Sequence, residues 1–220
     1  MKDTNVGIFI ETFIRRIHDL NIDYKNKVII DVGANFGDTA MLFARKGAIV
    51  YAFEPIRNNF DAMVNNIYLN RALGLRIYPI HAAIGEDKRR TFYYDPVPEY
   101  LSGGASAYVY YSSARTHETV DSYSLSKTCK KFEISDVDLL KMDAKGAEFL
   151  ISEDELKNVN RIAIEYSIFG EHKLQDLLGV ISRAGFDYCI FNHSFSEPIM
   201  LNQMWTRHGT VYAVKRGLKK

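Results

Sequence analysis

Between Val28 and Thr39 the chain reads Val-Ile-Ile-Asp-Val-Gly-Ala-Asn-Phe-Gly-Asp-Thr. Apolar β-formers run into Asp31, Gly33 and Gly37 bracket a short turn, and Thr39 to Arg45 continues at helical spacing. The pattern predicts a strand, a glycine turn and a helix. Glycine suits such a turn because the backbone needs angles that a Cβ disfavours and because a ligand must approach the main chain closely. The helix start offers N–H groups and a positive dipole end to an anionic ligand group. A second strand, Ala48 to Phe53, ends in Glu54. An acid about twenty residues beyond the first glycine is placed to accept hydrogen bonds from ribose hydroxyls. The expected ligand therefore carries a nucleoside.

A dinucleotide site normally has a middle glycine that lets the backbone touch the pyrophosphate. Gly33-Ala-Asn-Phe-Gly37 lacks it, and Asp31 stands two residues before the first glycine. S-adenosylmethionine has no pyrophosphate but an amino acid head, a sulfonium and an adenosine. Asp31 suits its ammonium or positive sulfur, the turn amides its carboxylate and Glu54 its ribose.

The sequence has 28 basic and 27 acidic residues, a net charge of +1, and so lacks the global electrostatic footprint of a nucleic-acid binder. Cys129 and Cys189 have no neighbours at metal-ligand spacing and are expected to be reduced. The opening is too short in apolar residues for a signal peptide, and no stretch reaches the length of a membrane span. A soluble, cytoplasmic protein of one domain over residues 1–220 is expected.

Val6, Phe9, Ile10, Phe13, Ile14, Ile17 and Leu20 recur at helical steps, which predicts an amphipathic cover helix within residues 1–24. Arg57 to Asn70 reads as a helix carrying Phe60, Met63, Val64 and Ile67 inward. Strands are expected at 75–80, 137–142 and 161–166, a helix at 174–184, and a closing pair of strands at 186–191 and 209–214. Strands alternating with helices imply a parallel sheet covered on both faces, and the closing pair an antiparallel edge. Residues 86–136 break this rhythm and hold seven of the fourteen tyrosines between Tyr93 and Tyr123. Within this insertion, 91–94 and 107–111 read as short strands flanking a loop at 96–104; its tyrosines either simply suit strands and half-buried surfaces or form an acceptor-binding element at the mouth of the site.

Ile30-Asp-Val-Gly-Ala-Asn-Phe-Gly37, Phe53-Glu-Pro55 and Leu140-Lys-Met-Asp-Ala-Lys-Gly-Ala-Glu-Phe149 together resemble the FkbM-type S-adenosylmethionine-dependent methyltransferases, over roughly Lys27 to Tyr166. Asp143, Gly146, Ala147 and Glu148 match the family's third segment. Lys145 stands where an acid is usual, and Tyr166 where a histidine often follows the glutamate. The resemblance implies an α/β fold, a Rossmann-like sheet of seven mostly parallel strands with helices on both faces and the last strand antiparallel. It implies methyl transfer to a hydroxyl of a sugar or natural-product-like small molecule. The cofactor residues carried over are Asp31, Gly33, Ala34, Asn35, Gly37, Glu54 and Asp143. Asp38 and Thr39 add helix-start contacts, and Pro55, Ala82 and Ala83 complete the expected set.

Methyl transfer asks mainly for alignment, and an alcohol acceptor also needs its proton removed. Asp143, Glu148 and Glu165 fall at or near carboxyl ends of strands, where ligands sit in such sheets. Asp143 is the first candidate, as base or as anchor for the cofactor's amino group. Glu165 and His193 are further candidates for the base, Glu148 equally suits a helix-start charge, and His81 is expected beside the adenine. No metal is expected. Two other readings stay open, an RNA methyltransferase and an S-adenosylmethionine-binding protein without turnover.

Overall fold

The computed structural model describes residues 10–94, 116–168, 171–192 and 208–218. His193 and the segments 96–104 and 107–111 lie outside them. A π-helical turn, Ile10–Arg15, precedes β1 (Val28–Val32), α1 (Asp38–Arg45), β2 (Ile49–Phe53), α2 (Arg57–Leu69) and β3 (Arg76–Ile80). Then come β4 (Ala83–Ile84), β5 (Lys88–Tyr94), β6 (Thr116–Tyr123), α3 (Leu125–Lys131), β7 (Leu139–Asp143), β8 (Arg161–Ser167), α4 (Leu174–Arg183), β9 (Phe186–Asn192) and β10 (His208–Lys215).

The main sheet has seven strands in the order β3-β2-β1-β7-β8-β10-β9. All neighbours from β3 to β8 are parallel, while β10 runs antiparallel to both β8 and β9. The expected closing pair is present, with the last strand inserted between β8 and β9. Successive side chains of the central strands divide between two cores. Ile29, Val50, Leu139 and Ala163 pack with Met41 and Phe43 of α1 and Met63 of α2. Ile30, Leu140, Ile162 and Ile164 pack with Leu174, Leu177 and Ile181 of α4. Predominantly apolar β1, β7 and β8 are what a sheet buried on both faces needs.

Three expectations are corrected. The described helical part of the N-terminal segment ends at Arg15, because Arg16 takes a left-handed φ of 53° that an α-helix cannot contain, and Asn21 another of 51°. Ile14, expected on the apolar stripe, is 68% exposed. In α2, Val64 is exposed, and the buried polar residues Asn59 and Asn66 take the inner face beside Met63. Asn66 donates to the Phe36 carbonyl at 3.0 Å, tying α2 to the glycine turn.

The described parts of the insertion hold more regular structure than its sequence rhythm suggests. β5 and β6 pair antiparallel and β4 joins β6 in parallel, giving a second sheet in the order β4-β6-β5. Ile56, Ala83, Phe92, Tyr94 and Val120 form a small core beneath it. α3 follows at once, its N-terminus capped by Ser124, whose Oγ accepts from the Lys127 amide at 3.2 Å.

Candidate active site

The site grows from the glycine turn at the carboxyl end of β1. Gly33, Asn35 and Gly37 all have left-handed φ, of 72°, 50° and 83°. A Cβ on Gly33 would lie 2.0 Å from the carbonyl oxygen of Asp143, so the turn sits directly on the end of β7. The amides of Gly33 and Ala34 both donate to the Phe53 carbonyl at 3.0 Å, and that of Asn35 donates to Glu54 Oε2 at 2.8 Å. This corrects the expectation that the amides at the start of the turn meet a ligand carboxylate. They are spent on joining β1 to the end of β2.

Two cavities meet at Gly33, Asn35, Asp143 and Lys145. The first, about 70 Å³, is walled by Phe53, Ile56, Ala82, Ala83, Ile84 and Phe92, with Pro55 and Asn59 beside Glu54. Glu54 also accepts from the Ile56 amide at 2.9 Å and from Asn59 Nδ2 at 3.4 Å. Burial pushes its carboxyl up to about 7, against the pull of those hydrogen bonds. His81 does not line this cavity. Its Nε2 lies 3.0 Å from the Pro55 carbonyl and 3.2 Å from Glu118, and it braces the wall from behind.

The second cavity, about 270 Å³, is polar and lined by Thr12, Ile17, His18, Asp38, Thr39, Lys141, Glu165 and His208 besides the shared residues. Asp38, at the start of α1, accepts from the Thr12 hydroxyl. Burial pushes its carboxyl up to about 6, opposed by that hydrogen bond. Lys145 lies 2.8 Å from Asp143 and 3.5 Å from Glu165. It adopts a left-handed φ of 47°, ahead of Gly146 at 117°. Burial alone would raise the Asp143 carboxyl, but Lys145 and Lys141 outweigh it and hold the group down at about 2. His208 Nε2 approaches Glu165 Oε1 to 3.3 Å, and His18 Nε2 stands 3.9 Å from Oε2.

The expected site residues therefore divide. Gly33, Asn35, Glu54, Pro55, Ala82, Ala83 and Asp143 line the first cavity, and Asp38, Thr39 and Glu165 the second. Asp31, Ala34 and Gly37 line neither. Asp31 is fully buried, 2.9 Å from Lys141 Nζ, and its charge also bears on Asp38. Lys141 also donates to the Gly33 carbonyl at 3.2 Å. Glu148 is buried behind the site, accepting from the amides of Gly146 at 2.7 Å and Ser167 at 3.1 Å, and so braces the Lys145 loop against β8. Tyr166 is buried on the face of β8 opposite Glu165 and Ser167, so of the two departures only Lys145 enters the site. Sequence reasoning missed His208, His18, Thr12 and Lys141. A lysine inside the apolar run of β7 was the visible signal for the last, and the others carried none.

The FkbM methyltransferase domain model matches residues 31–188, most of the chain. The chain belongs to that family. Its fold is also that of solved methyltransferases. A precorrin-6y C5,15-methyltransferase from Geobacter metallireducens is similar over 93% of this chain and 87% of its own, with a TM-score of 0.52 and 8% identity. A putative rRNA methylase from Clostridium thermocellum is similar over 87% and 88%, with a TM-score of 0.50 and 9% identity. At such identities the likeness concerns the fold. No curated protein matches the sequence. Among the described residues no cluster could hold a metal ion, and no helix is long and apolar enough to cross a membrane.

Proposed function

We propose that this FkbM-family chain binds S-adenosylmethionine and methylates a hydroxyl oxygen of a saccharide or similar small acceptor. The observation that carries the reading is the meeting of an apolar cavity holding one buried carboxylate with a charged cavity at Gly33, Asn35 and Asp143. The first suits an adenosine, with Glu54 accepting from the ribose hydroxyls while Ala82, Ala83, Ile84 and Phe92 face the base. The second suits the amino acid head, with Asp38 and Asp143 for the ammonium and Lys141 or Lys145 for the carboxylate. When bound, the cofactor supplies a methyl group on a positive sulfur. The chain's own task is to hold an acceptor oxygen in line with it, which supplies much of the rate.

Electrostatics favour a neutral acceptor. Three carboxylates, Asp38, Asp143 and Glu165, face two ammonium groups, Lys141 and Lys145, and Asp31 adds a further negative charge behind Lys141. A cavity of that balance suits a cationic methyl donor and an uncharged alcohol, and opposes a phosphodiester backbone.

The test is transfer of a labelled methyl group from S-adenosylmethionine to a panel of mono- and oligosaccharides and hydroxylated small molecules, with tRNA and rRNA beside them. Label in the hydroxyl panel supports the reading. Label in RNA alone replaces it with RNA methylation, and binding of S-adenosylhomocysteine without transfer to any acceptor reduces the chain to a cofactor-binding protein.

A further inference from the structure

For a helix lying on the face of a sheet, α2 is turned inside out. Its buried residues are Asn59, Met63 and Asn66. Both asparagines are engaged there, Asn66 on the Phe36 carbonyl at 3.0 Å and Asn59 on Glu54 at 3.4 Å. The inner face is thus given to holding the glycine turn and Glu54, and apolar side chains are left outside. Among the described residues, four of the exposed large apolar side chains fall in one short stretch, Val64, Tyr68, Leu69 and Leu73, with Tyr68 60% exposed. A helix face that met only water would carry polar residues, so this ridge calls for a partner surface.

Arg57, Asp61, Val64 and Tyr68 are all exposed and recur at steps of four, three and four residues, so they form one row along the helix. Arg71, in the 3₁₀ turn Arg71–Leu73 that follows α2, continues the row. Its guanidinium lies 4.3 Å from the centroid of the Tyr68 ring, and its Nη1 donates to the Tyr68 carbonyl at 3.1 Å. Arg57 Nε donates to Asp61 at 3.0 Å. The charges therefore stand in a fixed order, an arginine–aspartate pair at one end, Val64 and Tyr68 in the middle and an arginine at the other end. Arg76 leaves the row, since it donates to the Gly47 carbonyl. An acid within the row opposes an anionic lipid surface and suits an arginine of a protein instead.

We propose that α2 pairs antiparallel with α2 of a second copy of this chain. A twofold axis crossing the row midway between Val64 and Tyr68 sets Val64 of each copy against Tyr68 of the other. The same axis sets Asp61 of each copy against Arg71 of the other, because both stand five residues from that midpoint. One register thus satisfies the apolar middle and the charges together, and the symmetry makes each contact twice. Leu69 and Leu73 flank the row and widen the apolar contact. Tyrosine and arginine are also side chains in which protein interfaces are enriched. From Arg57 to Ala72 the row runs roughly 24 Å at the helical rise. A contact of that length falls at the small end of specific interfaces, so the dimer is reversible and depends on concentration. Pairing on the outer face leaves the contacts of Asn59 and Asn66 within each copy.

The experiment is sedimentation equilibrium of the full-length chain over roughly 1 μM to 1 mM. The wild type should pass from monomer to dimer within that range. Tyr68→Glu and Leu73→Glu should each weaken the dimer at least about 100-fold. Both positions are exposed, so the urea unfolding midpoint of these variants at the dilute end should match that of the wild type. Asp61→Arg and Arg71→Asp should each weaken the dimer at least about tenfold, since each sets like charges together twice. The double exchange Asp61→Arg with Arg71→Asp should recover most of that loss, which two independent surface changes would not do. A wild type that stays monomeric throughout would overturn the proposal. A dimer unmoved by Tyr68→Glu and Leu73→Glu would overturn it by placing the contact on another face, and one that the double exchange fails to restore would overturn the antiparallel register. A monomeric wild type that co-sediments with phosphatidylglycerol vesicles, where Tyr68→Glu does not, would give the ridge to a lipid surface instead.

Discussion

The two cavities that meet at Gly33 and Asp143 are built in opposite ways. Around Glu54 the polar contacts are largely main chain, with the amides of Asn35 and Ile56 on the carboxylate and those of Gly33 and Ala34 on the Phe53 carbonyl. Around Glu165 they are side chains from four separate parts of the sequence, namely the N-terminal segment, the loop after β7, β8 and β10. Backbone contacts preorganise one chemical shape and tolerate side-chain change nearby. A network of charged side chains can be retuned by a single substitution, as Lys145 illustrates. The difference separates a rigid, backbone-built cavity from one whose charge can change with single residues.

The largest effect is expected where the two cavities join. Gly33→Ala would place a Cβ 2.0 Å from the Asp143 carbonyl at a left-handed φ. It should cost at least about 4 kcal/mol in denaturant unfolding and abolish S-adenosylhomocysteine binding. A stable Gly33→Ala protein that still binds would show that the junction is not rigid.

Beneath the polar cavity, Lys141→Met would leave Asp31 buried without its partner. Breaking such a pair costs about 3–5 kcal/mol, and the double change Asp31→Asn with Lys141→Met should recover most of it. Equal stability of the single and double variants, measured by urea unfolding, would mean that the pair is not coupled.

On the nucleoside side the sign of the pH effect follows from Glu54. Its carboxyl titrates near 7 in the folded chain against an ordinary value of 4.5, so the ligand-free fold favours the protonated form. That preference costs stability as pH rises from the ordinary value through 7. Ribose hydroxyls donate to the ionised form, so S-adenosylhomocysteine affinity should rise between pH 6 and pH 8, by up to about tenfold. Glu54→Gln should flatten the dependence, and calorimetry showing the same slope in the variant would remove Glu54 from the ribose. The smallest effect is expected at the strap over the polar cavity. Thr12→Val removes the donor to Asp38 and should cost about 1–2 kcal/mol in stability. S-adenosylhomocysteine affinity should change less in this variant than in Glu54→Gln, and a larger loss would merge the two sides that the geometry keeps distinct.

The main sheet was legible because its central strands are buried on both faces. That burial makes Val28–Val32, Leu139–Asp143 and Arg161–Ser167 mostly apolar runs, with one charged residue in β1 and two each in β7 and β8. The second sheet was not. β4 has two residues, and β6 reads Thr-His-Glu-Thr-Val-Asp-Ser-Tyr, half exposed and dominated by polar side chains. The Glu54 side of the site was legible because its parts are local to the first β-α-β unit, with Glu54 tied to the glycine turn through the Asn35 amide. The polar cavity was not, because strand register assembles it. Nothing near His208 in sequence announces Ser167 or Glu165, and only the antiparallel pairing of β10 with β8 brings them together. The turn amides were misjudged for a related reason, since their partner, Phe53, belongs to the neighbouring strand.

The most direct measurement is calorimetric titration of the wild type and of Glu54→Ala with S-adenosylhomocysteine and with NAD. The account predicts saturable one-to-one binding of S-adenosylhomocysteine, weakened at least about tenfold in Glu54→Ala because hydrogen bonds to a charged group are lost, and no binding of NAD. Tight binding of NAD, or S-adenosylhomocysteine affinity unchanged by Glu54→Ala, would contradict it.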